Sequence, residues 1–146
     1  MDRLTEKNRN PKQLSPQTLA FIGDTVYDML AREYLVCEAD RPVGELNRRK
    51  VKLVNCQTQS KAVKQLMPVL TEDEISVYKR GRNAFTKNTP KNADVADYHA
   101  ATGLEALFGY LYLNGEIDRL NELFELILAI PTSFLKRIIR GYYETK

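Results

Sequence analysis

Two carboxylates sit where an apolar helix should carry none. Asp24 lies inside LAFIGDTVYDML, residues 19–30, directly after Gly23, and Glu105 lies inside ATGLEALFGYLYL, between Leu104 and Ala106. A glycine within a helix costs about 1 kcal/mol relative to alanine. A carboxylate beside Phe21, Ile22 and Val26 loses water unless something pairs with it. The second stretch repeats both oddities, because Ala101, Gly103, Ala106 and Gly109 are all small. Small residues let helices approach closely, so the two segments are expected to cross there and bring Asp24 and Glu105 together. Carboxylates so placed repel unless a proton or a cation sits between them. A hard divalent cation with oxygen ligands, Mg²⁺ before Zn²⁺, suits the pair. The other reading is that each carboxylate accepts a helix-to-helix hydrogen bond, and residue types alone leave both open.

The remaining chemistry is sparse. Cys37 and Cys56 show no CxxC spacing, so they read as reduced thiols packed in helices. His99 is the only histidine; a histidine-rich metal site is excluded, and a place on a helix surface rather than a catalytic role is expected. Net charge is +3, but the charge is unevenly spread. From Leu46 to Thr71 there is no acid, while Arg48, Arg49, Lys50, Lys52, Lys61 and Lys64 are basic. A second acid-free segment from Lys79 to Asn92 holds Lys79, Arg80, Arg82, Lys87 and Lys91. Acids gather later, at Glu116, Asp118, Glu122 and Glu125. This asymmetry points to a polyanion partner.

Helical patterns fill almost the whole chain, so an all-α fold in a single domain is expected of these 146 residues. Ser15-Pro16 opens a first helix with Leu19, Ile22, Val26, Met29 and Leu30 as its stripe. A second begins around Pro42 and ends near Val54, and a third covers Cys56 to Leu66. Thr71-Glu-Asp-Glu74 is a capping box for a short helix expected to end at Arg80-Gly81. The segment GRNAFTKNTPKNAD reads as a loop. A long helix from Asp94 to Leu113 closes at Asn114-Gly115, and an amphipathic helix from Ile117 ends before Pro131. The charged start, MDRLTEKNRNPKQ, has no apolar h-region, and no apolar run reaches the roughly 20 residues that span a bilayer. No membrane partner and a cytoplasmic location are therefore expected.

The wording of the motifs adds a resemblance. FIGDTVYDML resembles the signature helix of the ribonuclease III family, and GLEALFGYLYL resembles its second metal-binding helix. Between them, KRGRNAFTKNTPKNADVADY is similar to the corresponding loop of the Mini-III branch, bacterial enzymes made of the catalytic domain alone. The resemblance runs from about residue 14 to 130, leaving 1–13 as an N-terminal segment and 131–146 as a tail with room for one short helix. It places the family's catalytic, metal-binding aspartate on Asp24 and the glutamate on Glu105, with Mg²⁺ as the cofactor and Mn²⁺ as a substitute. Two further family carboxylates fall on Ala20 and Thr102 here, which leaves a thinner site. Asp28, one turn after Asp24, reads either as an outer carboxylate or as a solvated one.

What the resemblance implies is a homodimeric, Mg²⁺-dependent endoribonuclease that cuts double-stranded RNA by in-line attack of water, leaving 5′-phosphate and 3′-hydroxyl ends. By analogy the substrate is the precursor of large-subunit (23S) ribosomal RNA, with a large-subunit ribosomal protein as a further partner. Duplex RNA presents phosphates and 2′-hydroxyls across a wide, shallow minor groove. Arg80 and Arg82 suit phosphates, Asn83 and Asn88 suit 2′-hydroxyls, and Lys87 and Lys91 add charge. Arg48, Arg49, Lys50 and Lys52 are expected to flank the same groove. The side of the first helix near Phe21 and Tyr27 is the expected two-fold interface. Two other readings are a catalytically weak RNA-binding or ribosome-assembly module and a basic helical DNA-binding protein.

Overall fold

Six helices account for nearly all of the described chain: α1 (Pro16–Glu38), α2 (Val43–Val54), α3 (Cys56–Leu66), α4 (Glu72–Arg82), α5 (Val95–Leu113) and α6 (Ile117–Leu128). The computed structural model describes residues 3–84 and 94–129. No strand occurs among them, as the sequence pattern requires. Single 3₁₀ turns at Pro11–Gln13 and Met67–Val69 precede α1 and follow α3. The expected tail helix in 131–146 and the loop residues 85–93 lie outside the described residues.

Local chemistry sets the helix starts. Ser15 Oγ accepts the amide of Thr18 at 3.2 Å, with proline at the first helical position of α1. Thr71 and Glu74 complete the reciprocal capping box at the start of α4. Asp94 accepts from the amides of Ala96 and Asp97 to start α5, and Gly115, at φ +75°, turns the chain after it.

α5 is the central element. It buries Leu104, Ala106, Leu107, Phe108 and Leu111 almost completely, and α1, α3 and α4 all pack on it. Its crossing with α1 is backbone against backbone. A Cβ added at Gly23 would sit 1.6 Å from the carbonyl oxygen of Glu105, and one at Gly109 would sit 2.0 Å from that of Leu19. Only glycine fits at either position.

That crossing also corrects the expected stripe of α1. The buried side is Leu19, Ala20, Gly23, Tyr27, Ala31 and Leu35, while Ile22, Val26 and Leu30 are only half-buried and Met29 is exposed. The closest approach belongs to the small residues, not to the large ones. Tyr27, expected on an interface, is instead a core residue. Its ring packs on Phe108 and Phe124, with centroids 5.2 and 5.7 Å away, and its hydroxyl donates to the carbonyl of Leu53 at 3.3 Å. Gly81 is corrected as well. It does not end α4 but lies within it, where a Cβ would stand 2.7 Å from that of Ala106 and 2.9 Å from Cα of Gly103. Asn83 is the cap.

One buried ion pair ties the start of α4 to α6. Arg119 donates from Nε and Nη2 to the two carboxylate oxygens of Glu74, each at 2.8 Å, and from Nη2 to the carbonyl of Val69 at 2.8 Å. The Arg119 guanidinium holds the Glu74 carboxyl below its usual range.

Candidate active site

Gly23 and Gly109 decide where the carboxylates go. Because α1 and α5 touch through their backbones at this point, Asp24 and Glu105 issue from the two helices beside the same crossing. Asp24 is exposed and Glu105 is recessed. The expectation that Asp24 loses its water is therefore corrected; its neighbour Phe21 is itself 82% exposed. Glu105 carries the strain instead. Its carboxyl is pushed up from 4.5 to about 7, first by burial and then by the charge of Asp24, against the effect of a hydrogen bond from Gln59. The two side chains thus sense each other, as the spacing of small residues implied.

Gln59, on α3, is a residue the sequence reading missed. It is 2% exposed, and its Nε2 donates to Oε1 of Glu105 at 3.3 Å and to the carbonyl of Val54 at 2.8 Å. A signal was available: Gln59 sits on the apolar side of α3 with Ala62, Val63 and Leu66, the same break in pattern that marks Asp24 and Glu105. Tyr27 and Cys56 also lie near this charge. Burial first, and Glu105 second, raise the pKa of the Tyr27 phenol and of the Cys56 thiol, so both stay protonated near neutral pH.

The other candidate ligands are otherwise engaged. Ala20 is buried, and Thr102 donates its hydroxyl to the carbonyl of Tyr98 at 3.0 Å. Asp28 pairs with Arg32 at 2.5 Å and with Lys50 at 3.4 Å, so its charge is matched by cations of the protein itself. Among the described residues no group of three His, Cys, Asp or Glu side chains is arranged to hold a metal ion. Glu105 and Asp24 are the two carboxylates of this crossing, near enough for the charge of Asp24 to act on Glu105. His99 is half-buried on α5, edge-on to Tyr98, rather than on the surface.

The basic segments divide. On α2, Arg49 is 6% exposed and bonds Glu45 at 3.1 Å, and Lys50 bonds Asp28. These two serve the fold, a correction to the expectation that the whole cluster flanks a groove; Arg48 and Lys52 stay exposed. At the end of α4, Arg80 and Asn83 are exposed and Arg82 is half-buried. Arg80 Nη2 donates to the carbonyl of Leu14 at 3.2 Å, and Arg82 Nε donates to Oδ1 of Asn83 at 3.2 Å while its guanidinium stands 5.7 Å from the centre of the Tyr78 ring. Because Gly81 packs on Gly103 and Ala106, this basic end meets α5 within a turn of Glu105. Lys87, Asn88 and Lys91 lie outside the described residues.

Residues 17–116 match the family described as the ribonuclease III domain, and the chain belongs to that family: it is an endoribonuclease of the ribonuclease III type. Within it, the chain is similar to the Mini-ribonuclease 3 of Symbiobacterium thermophilum, 45% identical over 128 residues that cover 88% of this chain and 95% of the relative. The Mini-ribonuclease 3 of Thermoanaerobacter sp. is 44% identical over 117 residues, covering 80% and 82%. Among solved structures, a crystal structure of a protein from Fusobacterium nucleatum is similar at a TM-score of 0.75 and 26% identity, covering 83% of this chain and 93% of that one.

Proposed function

We propose that Asp24 and Glu105 together hold a divalent cation, Mg²⁺ first with Mn²⁺ as a substitute, and that with it the protein hydrolyses phosphodiester bonds of double-stranded RNA. The observation that carries this reading is the pair itself: two carboxylates from α1 and α5, close enough for Asp24 to raise the pKa of Glu105, at a crossing that only glycine permits. The donor set fits a hard cation. Both donors are carboxylate oxygens, and the nearby Cys56 thiol is held protonated, so it offers no soft ligand.

When bound, such a cation lowers the pKa of a water and offsets charge on phosphate oxygens. The chain does the rest. Exposed Asp24 and recessed Glu105 would hold the cation as carboxylates, and the Gln59 amide steadies Glu105. Arg80, Arg82 and Asn83, at the end of α4, supply donors for phosphates and 2′-hydroxyls, and Lys87, Asn88 and Lys91 follow them in the sequence. Water attacks phosphorus in line, leaving a 5′-phosphate and a 3′-hydroxyl, and no side-chain nucleophile is required.

One carboxylate pair cuts one strand, so both strands require a homodimer. Phe21 is 82% exposed on α1, and the same helix contributes Ile22, Val26, Met29 and Leu30, with the polar Thr25 and Glu33, to a pocket of about 270 Å³. A second copy offering its own Phe21 is the occupant that fits. No helix among the described residues is long and apolar enough to cross a membrane; the location we assign is the cytoplasm. The substrate we assign is the precursor of 23S ribosomal RNA, with a large-subunit ribosomal protein helping to present it. The test is cleavage of matched duplex RNA, duplex DNA and single-stranded RNA in Mg²⁺ and in chelator, with the product ends identified. Cutting confined to duplex RNA in Mg²⁺ supports the proposal; equal cutting of duplex DNA, or cutting in chelator, refutes it.

A further inference from the structure

One atom beside the carboxylate pair lacks the partner its burial demands. Gln59 is 2% exposed, and among the described residues its Oε1 has no hydrogen-bond donor within reach. Its orientation is not interchangeable. Nε2 spends both hydrogens on acceptors, the carbonyl of Val54 and the carboxylate of Glu105; a reversed carboxamide would set oxygen against oxygen twice. Nor is the side chain free to swing away. The α2–α3 corner is pinned by Asn55, which caps Thr58 at 2.9 Å, and by Thr58 Oγ1, which donates to the carbonyl of Lys52 at 2.8 Å.

Buried carboxamide oxygens are almost always satisfied. The missing donor lies outside the described residues, at a place beside the Glu105 carboxylate that Nε2 holds. We propose that Gln59 forms the third side of the cation site: its Oε1 accepts a hydrogen bond from the cation's hydration shell while its Nε2 keeps Glu105 turned toward the cation. Two carboxylates leave most positions of a six-coordinate Mg²⁺ to water, and Mg²⁺ retains its water readily. A rigid acceptor on a third helix orders that shell, the task that outer partners perform at metal centres. It also accounts for a site this thin in carboxylates: where Ala20 and Thr102 offer no carboxylate, an acceptor on α3 orders the water that takes their place.

The inference rests on the carboxylate pair holding the cation, and the experiment separates the two. Free Mn²⁺ is followed by its paramagnetic resonance signal at fixed pH without RNA, using wild type, Asp24→Asn, Gln59→Leu and Gln59→Met, each with its melting curve. Loss of the site in Asp24→Asn establishes that the pair is where Mn²⁺ binds; binding unchanged there overturns the carboxylate-pair reading, whatever Gln59 does. Given that loss, Gln59→Leu and Gln59→Met, of similar size and without the carboxamide, are each expected to weaken Mn²⁺ about 10-fold or more. Wild-type affinity in a folded variant, with only its melting curve lowered, means a buried glutamine that bonds an ordinary water and overturns the proposal. If Gln59→Leu fails to fold, the Gln59→Met result decides alone.

Discussion

Glu105 should make the stability of the metal-free protein fall as pH rises. Its carboxyl titrates near 7 in the fold against 4.5 ordinarily, so the folded state holds the proton more tightly than the unfolded chain does. The sign follows: this contribution is complete below about pH 4.5 and is lost as pH climbs through about 7. The shift corresponds to at most about 3 kcal/mol, reduced by whatever solvent reaches the half-buried group. For a chain of this size that is a fall in Tm of up to about 10 °C between pH 5 and pH 8. Glu74 works in the opposite direction, because its lowered pKa adds stability that disappears as pH falls, so wild type must be compared with Glu105→Gln. Differential scanning calorimetry on the two proteins, each in chelator and in saturating Mg²⁺, isolates the effect. The variant's Tm should drop less than that of wild type from pH 5 to pH 8, and Mg²⁺ should close the gap by fixing Glu105 as the carboxylate. Titration calorimetry gives a second reading: Mg²⁺ binding at pH 6 should release close to one proton, and at pH 8 about a tenth of one. Parallel Tm profiles for wild type and variant, or no proton release at pH 6, would refute the reasoning.

Three further outcomes follow from the geometry. Gly23→Ala gains up to about 1 kcal/mol of helix propensity but drives a Cβ to 1.6 Å from a backbone oxygen; the net loss should reach about 3 kcal/mol by denaturant melt, whereas Gly44→Ala, whose Cβ would meet only the Arg48 side chain at 3.5 Å, should be neutral or slightly stabilising. Phe21→Glu should yield a well-folded monomer by light scattering, and a dimer that survives would remove this face from the interface. Changing Arg80 and Arg82 together to alanine should lower the log–log salt slope of duplex RNA binding by about two, measured in Ca²⁺; an unchanged slope would take RNA recognition away from the end of α4.

Helix existence was legible because caps are local. Ser15-Pro16, the Thr71–Glu74 box and Asn114-Gly115 each declare an end within four residues. Asp24 and Glu105 were legible for a different reason, as polar breaks in apolar stripes flanked by small residues. What failed was packing. A glycine that ends a helix and one that admits a neighbour look alike in sequence, so Gly81 was read as a terminus. Large apolar residues advertise a core, yet α1 turns Gly23, Ala20 and Ala31 inward and leaves Met29 outside. The Glu74–Arg119 pair joins residues 45 apart, and no periodicity announces such a contact. Gln59 was hidden among ordinary polar neighbours in CQTQSKAVKQL, and only its burial beside Glu105 gives it meaning.

The central claim is that Asp24 and Glu105 form one cation site at which RNA is cut. Single-turnover cleavage of a long duplex RNA in Mg²⁺ by wild type, Asp24→Asn and Glu105→Gln, at saturating enzyme, tests it most directly. Each amide variant should keep its helix content and its affinity for RNA in Ca²⁺, yet lose more rate than the about 10–100-fold that outer partners of a metal cost. Near-wild-type turnover in either variant, with a normal melting curve, would contradict the account.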